Sequence, residues 1–387
     1  MAGTPKESSG PDRRRPAGLG LKLTLTVGGL GLALAAAEGL ARLADGGAFP
    51  YVNVFERDAR YGVRLRPGAS TRVRTRSGRV TSLDVGALGF RERAPTRAPS
   101  PARFHTLLLG DSQVMGYGVE AEDTMAAQLE ARTGVDVLAA AVPSWGPAES
   151  ALAAEALVPR LAPQVIVFFA NVANDWTEAL VPNVLRSDAR DGWLTRRRSD
   201  LPEPASFPGR AWLFGRSHFV FALRELRALT GSAVAASPSL GAPAAEQMLD
   251  QLAELSRPRG LDRSRITPEL RRVTQVCRAP RCRVILAVLP LDVQVDAAEW
   301  SKYHRPARDL QALDVLTSAL LADARDLDLD AIDLLPTLRN LAGPPRAFLE
   351  DDPHLSAQGH GAIAAALAPM IRADPGRVAR RDGTVSP

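Results

Sequence analysis

The chain contains few cysteines, few lysines and few aromatic residues for its length. Among its 387 residues there are 2 cysteines, and aromatic side chains make up 5%. The lysines are Lys6, Lys22 and Lys302, so arginine carries nearly all of the positive charge behind the net charge of +5. Neither zinc-finger spacing nor a motif that alternates basic and aromatic residues occurs, so nothing indicates a nucleic-acid-binding protein. Hydrophobic residues at 45% and charged residues at 24% are ordinary for a globular chain.

The two cysteines lie close together in the sequence. Cys277 and Cys282 are separated by Arg-Ala-Pro-Arg, directly before an apolar run. In an exported protein this spacing predicts a small disulfide-bonded loop. Two free buried thiols are the alternative. Two thiols without clustered histidines do not make a metal site, and we expect neither a metal nor another cofactor.

One long apolar segment lies near the N-terminus. Residues 19–37 are almost wholly apolar and follow the basic cluster Arg13–Arg15. Their length approaches the ~20 residues of a membrane-spanning helix, and the arginines favour a cytoplasmic position for the preceding tail. We therefore expect a cytoplasmic tail over residues 1–18 and an anchor over residues 19–44. The remainder of the chain would then lie outside the inner membrane of a bacterium, in the periplasm.

Other interpretations of the apolar segment stay open. The small-residue sites Ala33–Ala35 and Ala35–Ala37 are typical of signal-peptide cleavage, which would release a secreted protein. The arginine cluster also resembles a twin-arginine signal faintly. A buried core helix is the third possibility.

A short β-rich extension is expected over residues 50–101. Residues 71–76 and 80–85 alternate in polarity on either side of Ser77-Gly78, which predicts a hairpin. The arginines of this region indicate either a solvated strand face or a surface that attracts lipid headgroups or an anionic polymer. Residues 93–101, rich in Pro and Ala, read as a linker.

Strands and helices alternate over the expected main domain, residues 102–373. Successive strand–helix units predict a parallel sheet with helices on both faces. An insertion at about residues 176–281 interrupts this alternation, either as a lid or acyl-binding surface at the site or as a packing subdomain. Residues 374–387 form a polar tail that we expect to be disordered. The predicted strands are 104–109, 135–142, 165–169, 283–289 and 331–334.

Three motifs carry the candidate chemistry. Gly110-Asp111-Ser112 ends the first predicted strand, Asn174-Asp175 follows the third, and Asp351-Asp-Pro-His354 precedes the last helical segment. A serine at the carboxyl end of a parallel strand faces the crevice where open α/β sheets bind ligands. With a histidine and a carboxylate, such a serine supplies the minimum equipment for acyl transfer.

These motifs resemble the blocks of the SGNH (GDSL) hydrolase family. The resemblance covers roughly residues 104–372, in the family's order. It implies the SGNH fold, a three-layer α/β/α sandwich around a parallel, flavodoxin-like sheet. It also implies Ser112 as nucleophile, His354 as general base and Asp351 as the carboxylate that orients His354. Asp352 is the adjacent carboxylate, but the Asp-x-x-His spacing favours Asp351.

The resemblance further implies an oxyanion hole. The family uses the backbone N–H of Ser112, a backbone N–H from its second block and the side-chain amide of Asn174. The second block is represented here by either Ser144 or Gly146, and the sequence leaves both open.

Three functions compete at this stage. The first is an exported serine esterase that acts on a lipid or an O-acylated envelope glycan. The second is an O-acyltransferase that passes the acyl group to a cell-envelope polysaccharide. The third is a non-catalytic envelope scaffold that retains the fold. The presence of Ser112, Asn174, Asp351 and His354 ranks the scaffold last.

Overall fold

A computed structural model describes most of the chain. The predicted tails and the linker lie largely outside the described residues. The described residues are 18–93, 104–197, 205–229, 249–252, 254, 265–278, 281–303, 307, 310, 313–341 and 346–372.

The strands are β1 (Phe55–Asp58), β2 (Gly62–Leu65), β3 (Ser70–Arg74), β4 (Val80–Val85), β5 (Arg91–Glu92), β6 (Thr106–Gly110), β7 (Val137–Ala141), β8 (Val165–Asn171), β9 (Ser187–Arg190), β10 (Trp193–Arg196), β11 (Arg283–Leu289) and β12 (Asp330–Asp333). The helices are α1 (Leu19–Ala44), α2 (Ser112–Met115), α3 (Met125–Thr133), α4 (Pro147–Leu161), α5 (Asp175–Glu178), α6 (Asn183–Arg186), α7 (Arg210–Arg216), α8 (His218–Leu229), α9 (Thr267–Arg278), α10 (Asp292–Val295), α11 (Asp314–Asp326), α12 (Leu335–Arg339) and α13 (Ala357–Arg372).

The central sheet has five parallel strands in the order β12-β11-β8-β6-β7. Read along the chain this is the 2-1-3-4-5 order of flavodoxin-like sheets, so the predicted fold class is confirmed. The direction of strand addition reverses between β6 and β8, and a crevice opens outside their carboxyl ends. The candidate residues Ser112 and Asn174 each follow one of these two strands.

Helices cover both faces of the sheet. On one face α4 packs against α9, and on the other α3 packs against α13. Strands β6, β7, β8 and β11 are apolar at consecutive positions; every residue of Val165–Asn171, for example, is buried. Continuous burial is what a parallel strand covered on both faces requires, and it explains why these runs read so clearly as strands.

The segment before the sheet forms small antiparallel sheets that pack against the main domain. β3, β4 and β5 form one sheet, which contains the expected hairpin, and β1 and β2 form another. The Trp145 indole donates to the carbonyl oxygen of Val63 over 2.8 Å. The buried Arg91 donates to the carbonyl oxygens of Gly116 and Val119. Arg91 thereby fixes the extension to the loop that follows α2.

The described part of the insertion contains a second hairpin and two helices. β9 pairs with β10, and α7 and α8 pack against each other. The N-terminal helix α1 packs against α8. Residues 20–44 of α1 are long and apolar enough to cross a membrane, with a mean hydropathy of 1.5, and the apolar window is exposed. Cys277, at the end of α9, is joined to Cys282 by a disulfide.

Candidate active site

Ser112 lies at the turn between β6 and α2, at the carboxyl end of the sheet. Gly110 allows the start of α2 to pack closely against the end of β6, because a Cβ at this position would lie 2.4 Å from a methyl carbon of Val114. The Asp111 carboxylate accepts the backbone N–H of Gln113 over 2.9 Å and caps the short helix. The serine is thus presented at the strand end by a turn with little freedom to move.

His354 connects the serine to a carboxylate. Its Nε2 lies 2.8 Å from the Ser112 hydroxyl oxygen, and its Nδ1 is hydrogen-bonded to Asp352. The expectation for Asp351 is therefore wrong. The Asp352 carboxylate also accepts the backbone N–H of His354 over 3.0 Å, and this local turn brings it, rather than Asp351, to the imidazole.

Charge and burial shift the pKa values of His354 and Asp352 in opposite directions. Burial lowers the pKa of His354, but the charge of Asp352 and its hydrogen bond outweigh burial, so the pKa lies above its ordinary value of 6.5. Burial raises the pKa of Asp352, yet the contacts with His354 prevail and hold it below its ordinary value. Asp352 therefore stabilises the protonated form of His354.

Gln113 ties the serine turn to the histidine loop. Its amide nitrogen donates to the carbonyl oxygen of Pro353 over 2.9 Å, and its amide oxygen accepts the backbone N–H of Leu355 over 2.9 Å. These two bonds hold the backbone on both sides of His354. Gln113, next to the serine, therefore holds Ser112 and His354 close together although they are 242 positions apart in the chain.

Lys302 supports the same loop from behind. Its side chain is 3% exposed, and its ammonium forms ion pairs with Glu299 and, at 3.5 Å, with Asp292. The ammonium also donates to the carbonyl oxygen of Asp352 over 3.1 Å. Lys302 is thus a buried lysine that contacts Asp352, the residue hydrogen-bonded to His354.

Asn174 lies beside the serine turn and is held by carboxylates. Its amide nitrogen donates to Asp111 over 3.1 Å and to Glu178 over 3.0 Å. Burial raises the pKa of Glu178 to about 8, although Arg186 opposes that rise. Burial, followed by the charge of Asp111, also raises the pKa of Asp175 well above its usual range. Asn174 therefore lines the cavity beside Asp175 and Glu178, whose raised pKa values favour their protonated forms.

The two second-block candidates differ in position. The N–H of Gly146 is already used at the start of α4, where it donates to Glu149 over 3.0 Å, and this disfavours Gly146 as an oxyanion donor. Ser144 lines the cavity and has a φ of 75°, in the left-handed region. Its hydroxyl lies 2.6 Å from that of Ser187, which fixes the loop against β9. Ser144 thus remains the second-block candidate.

Ser112, Asn174 and His354 open into one cavity of about 910 Å³. The β-extension provides part of the wall through Pro50 and the region around Arg76. The insertion provides another part through β10. Tyr117 lines the cavity next to His354, with ring centroids 4.6 Å apart. Segments on both sides of the central domain therefore shape the site. Within the described part of the chain, no group of three His, Cys, Asp or Glu side chains is arranged to hold a metal ion.

Comparison with known families matches the C-terminal part of this domain. Residues 249–385 match the family model described as the SGNH hydrolase-like domain of the acetyltransferase AlgX. The match includes Asp352 and His354 but begins after Ser112. This part of the chain therefore resembles an SGNH hydrolase-like domain, a fold that supports a hydrolase or an acyl-transfer enzyme.

Solved structures of similar fold share little sequence with this chain. They include a lipase/acylhydrolase from Enterococcus faecalis (15% identity, 70% of this chain and 95% of that chain, TM-score 0.38). A further example is a GDSL-like lipase from Bacteroides thetaiotaomicron (11% identity, 72% of this chain and 92% of that chain, TM-score 0.35). Another is the acetyl xylan esterase AlAXEase (12% identity, 68% of this chain and 98% of that chain, TM-score 0.38). At this similarity none of their activities is transferred to this chain. No curated protein matches it.

Sequence reasoning did not identify several residues of the site. Lys302, Gln113 and Glu178 were missed, and Asp352 was considered but set aside. The scarcity of lysine was a usable signal for Lys302, since a lysine in an arginine-rich chain is unusual. Gln113 directly follows the motif after the first strand, and Glu178 lies three residues after Asn174-Asp175; position near a motif was the only signal available for them.

Proposed function

We propose that the protein is an exported serine esterase that forms an acyl ester on Ser112. The observation that carries this proposal is the continuous hydrogen-bonded series from Ser112 through His354 to Asp352 at the mouth of a cavity. A serine hydroxyl is a weak nucleophile unless a base accepts its proton, and this arrangement supplies the base and the group that orients it.

In the proposed first step, His354 Nε2 takes the hydroxyl proton of Ser112 as its oxygen attacks the ester carbonyl carbon. Asp352 stabilises the imidazolium that forms. The tetrahedral intermediate then collapses, the carbon–oxygen bond to the leaving alcohol breaks, and His354 returns the proton to that alcohol. Water attacks the acyl-serine by the same route in reverse and releases the acid and free Ser112.

The negative oxygen of the intermediate needs hydrogen-bond donors. We assign this role to the backbone N–H groups of Ser112 and Ser144 and to the side-chain amide of Asn174. In the structure the Asn174 amide donates to Asp111 and Glu178. Binding of the oxyanion would therefore replace the bond to Glu178, whose raised pKa favours the neutral form that holds this amide less strongly.

An O-acyltransferase is the second candidate. It is favoured by the match of residues 249–385 to a domain described as that of an acetyltransferase. The chemistry up to the acyl-serine is the same, and a hydroxyl of an envelope polysaccharide takes the place of water. Because His354 can deprotonate either acceptor, access of water to the cavity decides between the two activities.

We propose that α1 anchors the protein in the bacterial inner membrane, with the main domain on the periplasmic side. The apolar length of residues 20–44 and the preceding arginines support this topology. A periplasm-active reporter fused after Arg93 should be active, and a cytoplasm-only reporter at the same position should be inactive. The reverse pattern would contradict the topology.

The function is tested by incubating the purified full chain with esters of increasing acyl length, with and without carbohydrate acceptors. Release of free acid without an acceptor supports the esterase. Acyl transfer to the carbohydrate with negligible hydrolysis supports the acyltransferase. If neither product forms at any acyl length, the result favours the scaffold.

A further inference from the structure

The last turns of α1 are fixed to the start of α8. The Glu38 carboxylate accepts the Ser217 hydroxyl over 2.7 Å and the backbone N–H groups of His218 and Phe219 over 3.2 and 3.0 Å. Asp45 lies 2.9 Å from the His218 imidazole. Helix α1 thus caps α8, because the free N–H groups at the start of α8 are satisfied by a side chain of α1. The orientation of α8 relative to α1 is set by these bonds.

Helices α7 and α8 expose large apolar side chains. Trp212 on α7 is 56% exposed, and Leu223 and Leu226 on α8 are 45% and 59% exposed. The two leucines lie three residues apart, on one side of the helix. Phe221 is buried against Phe49 and Trp193. Helix α8 therefore has one apolar side that packs on the domain and a second, at Leu223 and Leu226, that stays about half exposed in the described structure.

We propose that Trp212, Leu223 and Leu226, here named the α7–α8 surface, insert into the lipid bilayer beside α1. This inference rests on the proposed anchoring role of α1. Three observations favour lipid over another occupant. Helix α8 packs against the apolar helix α1, and the hydrogen bonds of Glu38 fix the start of α8 to the last turns of α1. Two exposed arginines, Arg216 and Arg227, lie on the same two helices as the surface. Apolar side chains next to arginines are typical of helices in the membrane interface, where the arginines meet anionic headgroups.

The proposed contact has a consequence for the cavity. Pro50 lines the cavity and lies six residues after Ala44, the end of α1. Six extended residues span at most about 20 Å. With α1 in the membrane and α8 on its surface, this wall of the cavity stays within that distance of the end of α1, and the domain cannot turn freely about a flexible tether.

The contact is measurable by lipid quenching of a fluorophore. Leu226→Cys in the full chain can be labelled with an environment-sensitive dye, because Cys277 and Cys282 are joined to each other. Leu30→Cys in α1 reports on insertion of the anchor, and Arg325→Cys on α11 is the matched exposed control. The labelled proteins are reconstituted into vesicles with brominated acyl chains, made with and without anionic lipid.

We expect strong quenching at positions 30 and 226, at least threefold above position 325, with stronger quenching at position 226 when anionic lipid is present. In a Leu223→Glu background the quenching at position 226 should fall toward that at position 325, with unchanged thermal unfolding.

Quenching at position 30 alone would overturn the proposal but leave the anchor intact. Protection of position 226 from aqueous iodide without lipid quenching would indicate a second copy of the chain, which also overturns it. No quenching at position 30 would remove the anchor and the proposal together, while ester turnover would still test the proposed function independently.

Discussion

The imidazole of His354 is oriented by Asp352, which lies two residues before it in the same turn. One oxygen of the Asp352 carboxylate contacts Nδ1 of His354 and accepts the backbone N–H of His354 as well. The opposite ring nitrogen lies 2.8 Å from Ser112 Oγ. The position of the imidazole is therefore determined by a local turn on one side and by a long-range contact on the other.

This relationship predicts different effects for two neighbouring carboxylates. Asp352→Asn should lower kcat by about 10⁴-fold, because a neutral amide stabilises neither the required tautomer nor the imidazolium. Asp351→Asn is the matched control and should change kcat only a few-fold. Steady-state kinetics on one ester distinguishes the two. A large loss in Asp351→Asn with little loss in Asp352→Asn would restore the assignment made from the sequence.

Lys302 is predicted to act on the pH dependence of the reaction. Its positive charge lowers the pKa of His354, while Asp352 raises it, with a net rise. His354 must be neutral to accept the serine proton, so kcat/KM falls as the pH drops through this pKa, which lies above 6.5. Lys302→Met removes the opposing charge, so the acid limb should move to higher pH and kcat should fall with little change in KM.

The matched control is Lys302→Arg, which keeps the charge and should leave the acid limb in place. A merely structural role would reduce the amount of folded enzyme without moving the limb. An unmoved acid limb and an unchanged kcat in Lys302→Met would contradict the positioning role.

Asn174→Ala should lower kcat by about 10²- to 10³-fold, the usual cost of losing one oxyanion donor, while KM changes little. Its nucleophile and base remain, so labelling of Ser112 by a reactive phosphonate should slow but persist. Ser144 contributes its backbone N–H to the oxyanion hole in this scheme, while its hydroxyl only fixes the loop, and Ser144→Ala should therefore be milder. Equal losses of kcat in the two variants would argue against the assignment of Asn174.

The disulfide yields a prediction about stability. Cys277 and Cys282 should resist alkylation in the folded protein until a reductant is added. Replacing both by Ser should lower the free energy of unfolding by about 2 kcal/mol, because the closed loop is short. Denaturant titration measures this difference, and the ester turnover of the folded variant should be retained. Ready alkylation without reductant would show that the thiols are free.

Much of the fold could be predicted from the sequence. Four of the five central strands, β6, β7, β8 and β11, are short apolar runs separated by helical segments, and their burial on both faces makes the pattern unambiguous. Residues 283–289 were expected as a strand and form β11 with the same bounds. The apolar helix near the N-terminus was also expected and is present.

The site could be predicted only in part. Ser112 and His354 follow from short motifs on recognisable elements, and the structure brings them together. Asp352 was set aside because motif spacing says nothing about how a turn folds, and here a backbone hydrogen bond selects the nearer carboxylate. Lys302 contacts its loop from 50 residues away in sequence. Such a contact depends on tertiary packing, which no local pattern in a single sequence encodes.

The most direct test of the proposed mechanism is labelling of the full chain with a fluorophosphonate probe, followed by mass-spectrometric mapping of the modified residue. We predict modification of Ser112 and of no other serine. Ser112→Ala should abolish both labelling and ester turnover while leaving the thermal unfolding midpoint nearly unchanged, and His354→Ala should abolish nearly all of both. A wild-type protein that is folded but neither reacts with the probe nor cleaves any ester would contradict the central claim.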